Sequence, residues 1–229
     1  MPARFLVRPD TSDIKAVGEV FKNNSYQRKQ FKIEPGEKWL DMGANIGAFS
    51  VFAAHVGCEV VSFEAESLNA EATVKNLTLN GFRPQVHQCA IVPDSYVGNT
   101  ISFFVLSRPM ALRRHSIVQP KKDFVRVEVP ALRWSDALRQ NPGFDCVKLN
   151  IEGVEVDIMR EAPQFDGVRK MVFEWSFDKD PEIATCVAML AKLRRYFRYV
   201  DISKPVERVG QTHARWDFYP PNAFVYAIR

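Results

Sequence analysis

The run Asp41-Met42-Gly43-Ala44-Asn45-Ile46-Gly47 sets two glycines and a leading acid where an apolar stretch, Glu37 to Asp41, gives way to a helical one near Phe49. Glycines at such a junction let the backbone turn tightly and come close to a ligand, and the following helix offers free N–H groups at its start. A pyrophosphate loop reads G-x-G-x-x-G, whereas the spacing here is G-x-x-x-G with Asp41 two residues ahead. A pyrophosphate is a poor neighbour for that carboxylate; a cofactor carrying a sulfonium and an α-ammonium group suits it. A second apolar run, Glu59 to Phe63, ends in Glu64. It lies about 20 residues on, where an acid can accept hydrogen bonds from both ribose hydroxyls. Asp41, Gly43, Asn45, Gly47 and Glu64 are therefore the expected cofactor-binding residues.

A second constellation is Lys148-Leu-Asn-Ile-Glu-Gly-Val-Glu155. Lys148, Asn150 and Glu152 alternate along a strand and its exit, and a period of two puts them on one side. Asn150 and Glu152, at the carboxyl end, are the expected site residues, with Asn150 also within reach of the cofactor. Lys148 reads equally as a salt bridge beneath the site. Glu155 reads equally as an acid favouring the start of the next helix. Glu174 and Trp175 close the following strand, Glu174 as a base or acceptor ligand and Trp175 as an acceptor contact. Between them in sequence order and the glycine turn lies a basic stretch with Arg108, Arg113, Arg114, His115, Lys121 and Lys122. His115 and Arg113 are its candidate substrate contacts; a solubilising loop is the plain alternative.

These residues need a scaffold, and the hydrophobic pattern supplies one. Strand-like runs at Glu37–Asp41, Glu59–Phe63 and Val86–Ile91 alternate with helical runs at Phe49–Val56 and Ser67–Leu79, the pattern of a parallel sheet with crossover helices. Apolar positions Ile14, Val17, Val20 and Phe21 give a short helix over 13–23, within an N-terminal extension spanning 1–32. Ala70, Val74 and Leu77 are the expected inward positions of the Ser67–Leu79 helix. Thr100–Leu106 and Phe124–Val129 form an inserted hairpin within 99–130. The rhythm then resumes with a helix over Trp134–Gln140, strands Asp145–Ile151 and Met171–Trp175, and helices over Val154–Arg160 and Pro181–Tyr196. Tyr199–Ile202 and Phe224–Ile228 form a closing antiparallel pair. The expected fold is α/β and Rossmann-like, a mostly parallel sheet with helices on both faces, in one domain of 229 residues.

Taken together, Asp41-Met-Gly-Ala-Asn-Ile-Gly47, Phe63-Glu64-Ala65 and Lys148-Leu-Asn-Ile-Glu-Gly-Val-Glu155 resemble the FkbM family of S-adenosylmethionine (SAM)-dependent methyltransferases. That family shows D-x-G-A-N-x-G, then F-E-P, then K-x-D-x-E-G-x-E, and the likeness runs from about Trp39 to Trp175. It implies the class I methyltransferase fold, SAM as cofactor, and O-methylation, commonly of sugar or polyketide hydroxyls. Ala65 stands for the family's proline, and Asn150 for its aspartate. An amide cannot remove a proton, though it can hydrogen-bond to cofactor or acceptor.

Methyl transfer to a hydroxyl requires in-line alignment, exclusion of water and removal of the hydroxyl proton. Glu152, Glu174 and His115 are the base candidates. A ribose or base methyltransferase acting on RNA is the competing enzymatic reading, drawing on the basic hairpin and on Arg194, Arg195 and Arg198. A non-catalytic SAM-fold partner is another, encouraged by Asn150. The net charge of +4 fits a phosphorylated acceptor without identifying one. Cys58, Cys89, Cys146 and Cys186 form no C-x-x-C pair, so no metal is expected, and no stretch reaches the length of a membrane span. A cytoplasmic location is the expectation.

Overall fold

The computed structural model describes residues 2–106, 124–151, 154–161, 165–176, 183–203 and 222–229. In chain order the elements are α1 (Asp13–Phe21), β1 (Lys38–Met42), α2 (Ala48–Val56), β2 (Glu59–Glu64), α3 (Ser67–Leu79), β3 (Val86–Gln88), β4 (Ala90–Val92), β5 (Thr100–Leu106), β6 (Phe124–Arg133), α4 (Trp134–Gln140), β7 (Cys146–Leu149), α5 (Glu155–Glu161), β8 (Lys170–Ser176), α6 (Ile183–Leu193), β9 (Tyr199–Ile202) and β10 (Asn222–Ile228). No described helix is long and apolar enough to cross a membrane.

Seven strands form the main sheet in the order β3-β2-β1-β7-β8-β10-β9. All pairings are parallel except those of β10, which runs antiparallel to both β8 and β9. From β1 the chain winds outward to β3, then returns to β7 on the other side of β1. The strand order therefore reverses between β1 and β7. Doubly wound sheets bind ligands at such a point, outside the carboxyl ends of the strands.

Strand alternation explains why helices cover both faces. Leu40, Met42, Val61, Phe63, Val147, Leu149, Met171 and Phe173 pack into one apolar cluster with residues of α4, α5 and α6. Their sequence neighbours Trp39, Val60, Cys146 and Val172 pack into a second cluster with Ala48, Phe49 and Ala53 of α2 and with Val20, Tyr26 and Phe31. A period of two sends adjacent residues to opposite sides, so both faces are apolar, as a buried parallel sheet requires.

Four local expectations change. The Val86–Ile91 run is two strands: β3 joins the main sheet, while β4 pairs with β6 in a three-stranded sheet ordered β4-β6-β5. Between them, Cys89 N–H donates to the Glu64 carbonyl at 3.0 Å. The inserted hairpin is seen as antiparallel β5 and β6, and β6 runs beyond Val129 to Arg133, directly into α4. In α1, Ile14 is 66% exposed, and Asp13 turns inward with Ala16 and Val20. The cause is Arg8, whose guanidinium grips both Asp13 oxygens at 2.9 Å. In α3, Val74 is exposed, and Thr73 and Asn76 are fully buried. Their polar groups face the glycine turn: Thr73 Oγ1 donates to the Asn45 carbonyl at 2.6 Å, and Asn76 Nδ2 to that of Ile46 at 2.9 Å. Turn carbonyls need donors when buried, and this need outweighs an apolar stripe.

Candidate functional site

The glycine motif forms the turn from β1 into α2, at the point of strand reversal. Gly43 and Ala44 donate their backbone N–H groups to the Phe63 carbonyl at 2.9 and 3.0 Å. Gly43 and Gly47 have φ of +82° and +79°, and Asn45 sits in the left-handed region at +54°. The two glycines are also sterically required. A Cβ on Gly43 meets the Asn150 carbonyl oxygen at 1.8 Å, and one on Gly47 meets Thr73 Cγ2 at 2.9 Å. The turn is thus clamped between the exit of β7 and the flank of α3.

Glu64 ends β2 beside this turn and is 8% exposed. One carboxylate oxygen accepts the Asn45 N–H at 2.7 Å and the other the Glu66 N–H at 2.9 Å. Burial pushes the carboxyl up to about 7, while the Glu66 and Asn45 N–H groups and Lys148 pull it down. Glu66 caps α3, accepting from Leu68 and Asn69 N–H at 3.0 and 2.7 Å.

Asp41 is fully buried and turns beneath the glycine turn. Its Oδ2 accepts from Ser50 Oγ at 2.6 Å, and Ser50 is itself 2.8 Å from Ser62 Oγ. Its Oδ1 is 2.9 Å from Lys148 Nζ. Asp41 faces both Ser62 and Lys148 in the strand registers, so the row crosses three strands at one level. Lys148 Nζ also donates to the Gly43 carbonyl at 2.5 Å. Of the two readings of Lys148, the structure shows the salt bridge, and Asp41 faces that lysine where direct contact with the cofactor's cation was expected.

At the carboxyl end of β7, Asn150 N–H continues the ladder to the Met42 carbonyl at 3.0 Å, and its Nδ2 donates to Tyr26 Oη at 3.2 Å. Tyr26 is a site neighbour that the sequence reading did not pick out, since it lies in the polar link between Asn23 and Lys32. Its ring stacks edge-on against Phe49 and Phe224 at 5.3 and 5.2 Å, and Lys148 Nζ sits 5.6 Å over it. Burial, then the carboxylates of Glu19 and Glu174, hold its hydroxyl well above the usual phenol range, so it stays protonated.

Glu174 has the same strand parity as Val172 and is half-buried on the Tyr26 face, opposite Phe224 in the β8–β10 register. Trp175 takes the other parity. It is 1% exposed and packed in the main core, so the indole expected at the acceptor points away from it. Glu155 is fully buried and accepts the Ile151 N–H at 2.6 Å, bracing the exit of β7 against α5. Glu152, His115 and Arg113 lie outside the described residues.

The geometry is that of a tight glycine turn at the strand reversal, with Asn150, Tyr26 and Glu174 on the face beside it. The methyltransferase FkbM domain family matches residues 41–201. The chain belongs to that family. It is 33% identical over 81 residues to 31-O-demethyl-FK506 methyltransferase FkbM of Streptomyces tacrolimicus, a stretch covering 34% of this chain and 31% of that protein. Among solved structures, precorrin 8w decarboxylase of Methanobacterium thermoautotrophicum is 14% identical over 85% of this chain and 82% of that one, with a TM-score of 0.44. A tRNA (uracil-54, C5)-methyltransferase of Pyrococcus abyssi, in complex with S-adenosyl-L-homocysteine, is 16% identical over 93% and 37%, with a TM-score of 0.40.

With family and strand order together, this FkbM-family chain has the Rossmann-like class I methyltransferase fold, and SAM is the cofactor of that family. Its residues fit the cofactor. Each Glu64 oxygen accepts one backbone N–H and keeps further acceptor capacity for a ribose hydroxyl.

The raised carboxyl of Glu64 sets a pH dependence. Hydroxyl donors favour the carboxylate, so binding lowers its pKa. With Glu64 holding the ribose, affinity for S-adenosylhomocysteine (SAH) is expected to rise with pH, flatten above about 7 and fall by up to about tenfold per unit below it. Without ligand the sign reverses for folding. A carboxyl raised from 4.5 to about 7 gives stability that is present below 4.5 and lost as pH climbs through 7. Calorimetric titration between pH 5.5 and 8.5 checks the first effect; a flat profile removes Glu64 from the cofactor site.

Proposed function

We propose that the protein transfers the methyl group of SAM to a hydroxyl of a small molecule or glycan. The observation that carries this reading is the convergence of Asn150, Tyr26 and Glu174 on one face at the carboxyl edge of the sheet, next to the glycine turn. When bound, SAM supplies a methyl group already activated by its sulfonium. Gly43, Asn45 and Gly47 shape the turn that receives it, Glu64 takes its ribose, and Asp41 acts through Lys148 by holding the turn in place. Asn150, fixed by its bond to Tyr26, presents its remaining amide groups to cofactor or acceptor. A carboxylate on this face would take the acceptor's hydroxyl proton, leaving that oxygen ready for the methyl group the cofactor would supply. Glu174 is the base on the described part of the site, with Glu152 its rival; Asn150 cannot serve. His115 and Arg113 would contact the acceptor from the hairpin.

The test is incubation with labelled SAM and a panel of sugars, glycans, polyketide alcohols and RNA. Label is expected on a hydroxyl of a small molecule or glycan; label on RNA alone refutes the proposal. Glu174→Gln should slow transfer by about 10²–10⁴ while leaving SAH affinity unchanged. If Glu174→Gln transfers at the normal rate and Glu152→Gln does not, the base is Glu152.

A further inference from the structure

A group of arginines gathers at the end of the sheet away from the cofactor turn. Asp166, Arg169, Arg195, Tyr196, Arg198 and Arg229 line an open depression of about 620 Å³. Arg169 leads into β8, Arg198 into β9, and Arg229 follows β10, whose antiparallel course brings it back to the amino end of β8. β8 has seven residues, so about 20 Å of strand separates this depression from the edge that carries Glu174.

The four guanidinium groups differ in how they are held. Arg169 donates to Asp145 at 2.8 Å and to Glu37 at 3.2 Å. Arg229 donates to the Phe165 carbonyl at 2.6 Å, lies 5.9 Å over the Phe197 ring, and is 4.0 Å from the exposed Asp166 carboxylate. Both are thereby fixed in place. Arg195 and Arg198 are exposed and form no ion pair among the described residues. Glu37 is shared with the buried Lys170, which sits 2.5 Å from it. Counting the facing groups, Glu34, Glu37, Asp145 and Asp166 stand against Arg169, Lys170, Arg195, Arg198 and Arg229, which leaves one positive charge in excess.

We propose that this depression binds a compact polyphosphate, such as the phosphate tail of a nucleotide, separately from the methyl-transfer site. Guanidinium groups are planar donors matched to phosphate oxygens in pairs. Two that are already immobilised lower the ordering cost of binding, and Arg195 and Arg198, in no ion pair among the described residues, are free to meet the anion. Four guanidinium groups gathered in one depression match a short polyanion, whereas the extended backbone of RNA needs a track of charge. A merely solvated patch needs no pair of anchored arginines converging on one hollow.

The test is calorimetric titration of tripolyphosphate into the full chain at about 0.15 M salt, with SAH titrated in parallel. Saturable binding is expected. The double variant Arg195→Glu/Arg198→Glu should weaken it by about tenfold or more, with SAH affinity unchanged. Lys15→Glu/Arg83→Glu, an equal charge change elsewhere, should leave it intact. The proposal is overturned if tripolyphosphate does not saturate, if the control pair weakens it equally, or if Arg195→Glu/Arg198→Glu has no effect. Binding of single-stranded RNA that tripolyphosphate cannot displace also overturns it.

Discussion

Replacing Lys148 with methionine is expected to cost about 3–5 kcal/mol of folding stability, because it strands a carboxylate with no counter-charge in the core. Asp41 is fully buried and Lys148 is 3% exposed, so water cannot take over the role of the lost ammonium. Only the Ser50 hydroxyl stays on Asp41. The same change removes the donor to the Gly43 carbonyl, so the glycine turn loosens along with the core. Out of a typical total of about 5–15 kcal/mol, such a loss is severe. Urea unfolding measures it. The double variant Asp41→Asn/Lys148→Met should be more stable than Lys148→Met alone, since no net charge is then buried. If Lys148→Met costs less than about 1 kcal/mol, close to what an exposed pair contributes, the buried row does not support the turn.

Gly43→Ala carries the second large effect. An L-residue at φ of +82° is strained by about 1–2 kcal/mol, and the new methyl meets the Asn150 carbonyl oxygen at 1.8 Å. The carbonyl is backbone and the Cβ position is set by the backbone of residue 43, so relief requires β1 and β7 to part at their carboxyl ends. With a further overpacking cost of about 1–3 kcal/mol, the expected loss is about 2–5 kcal/mol, together with SAH binding weakened at least tenfold. Gly36 separates the two causes. Its φ is +83°, but nothing lies within 4 Å of its Cβ position. Gly36→Ala should therefore show the strain alone and leave SAH affinity unchanged. Equal effects at the two positions would contradict the steric account.

The parts of this site that were legible in the sequence are those whose cause is local. A glycine turn declares itself through its glycines, and the alternation of Lys148 and Asn150 along β7 follows from strand geometry. The strand order adds no further signal until β10 is seen to run antiparallel, as its pairing with the Tyr199–Ile202 run suggested. What escaped depends on partners distant in the chain. Tyr26 reads as part of a polar link, and only the fold sets it against Asn150, 124 residues away. Asp41 reads as a ligand for the cofactor's cation, whereas the fold buries it against Lys148. Trp175 and Glu174 read as a pair, yet strand parity sends one to the core and the other to the open face. Val74 loses its inward place to Thr73 because the turn it faces is polar. Arg195 and Arg198 read as basic residues in the sequence, but only the fold brings Arg169 and Arg229 beside them to make the hollow.

The most direct measurement is calorimetric titration of SAH at pH 8 into the wild-type chain and into Glu64→Ala, with Glu64→Gln as the variant that keeps the side chain's shape. Two ribose hydrogen bonds to a charged group are worth about 1.5–3 kcal/mol each before compensation. Wild type should bind, Glu64→Ala should bind at least tenfold more weakly, and the gap should narrow at pH 6, where the wild-type carboxyl is largely protonated. A wild type that does not bind SAH, or a Glu64→Ala that binds it equally well, would contradict the placement of the cofactor on this turn.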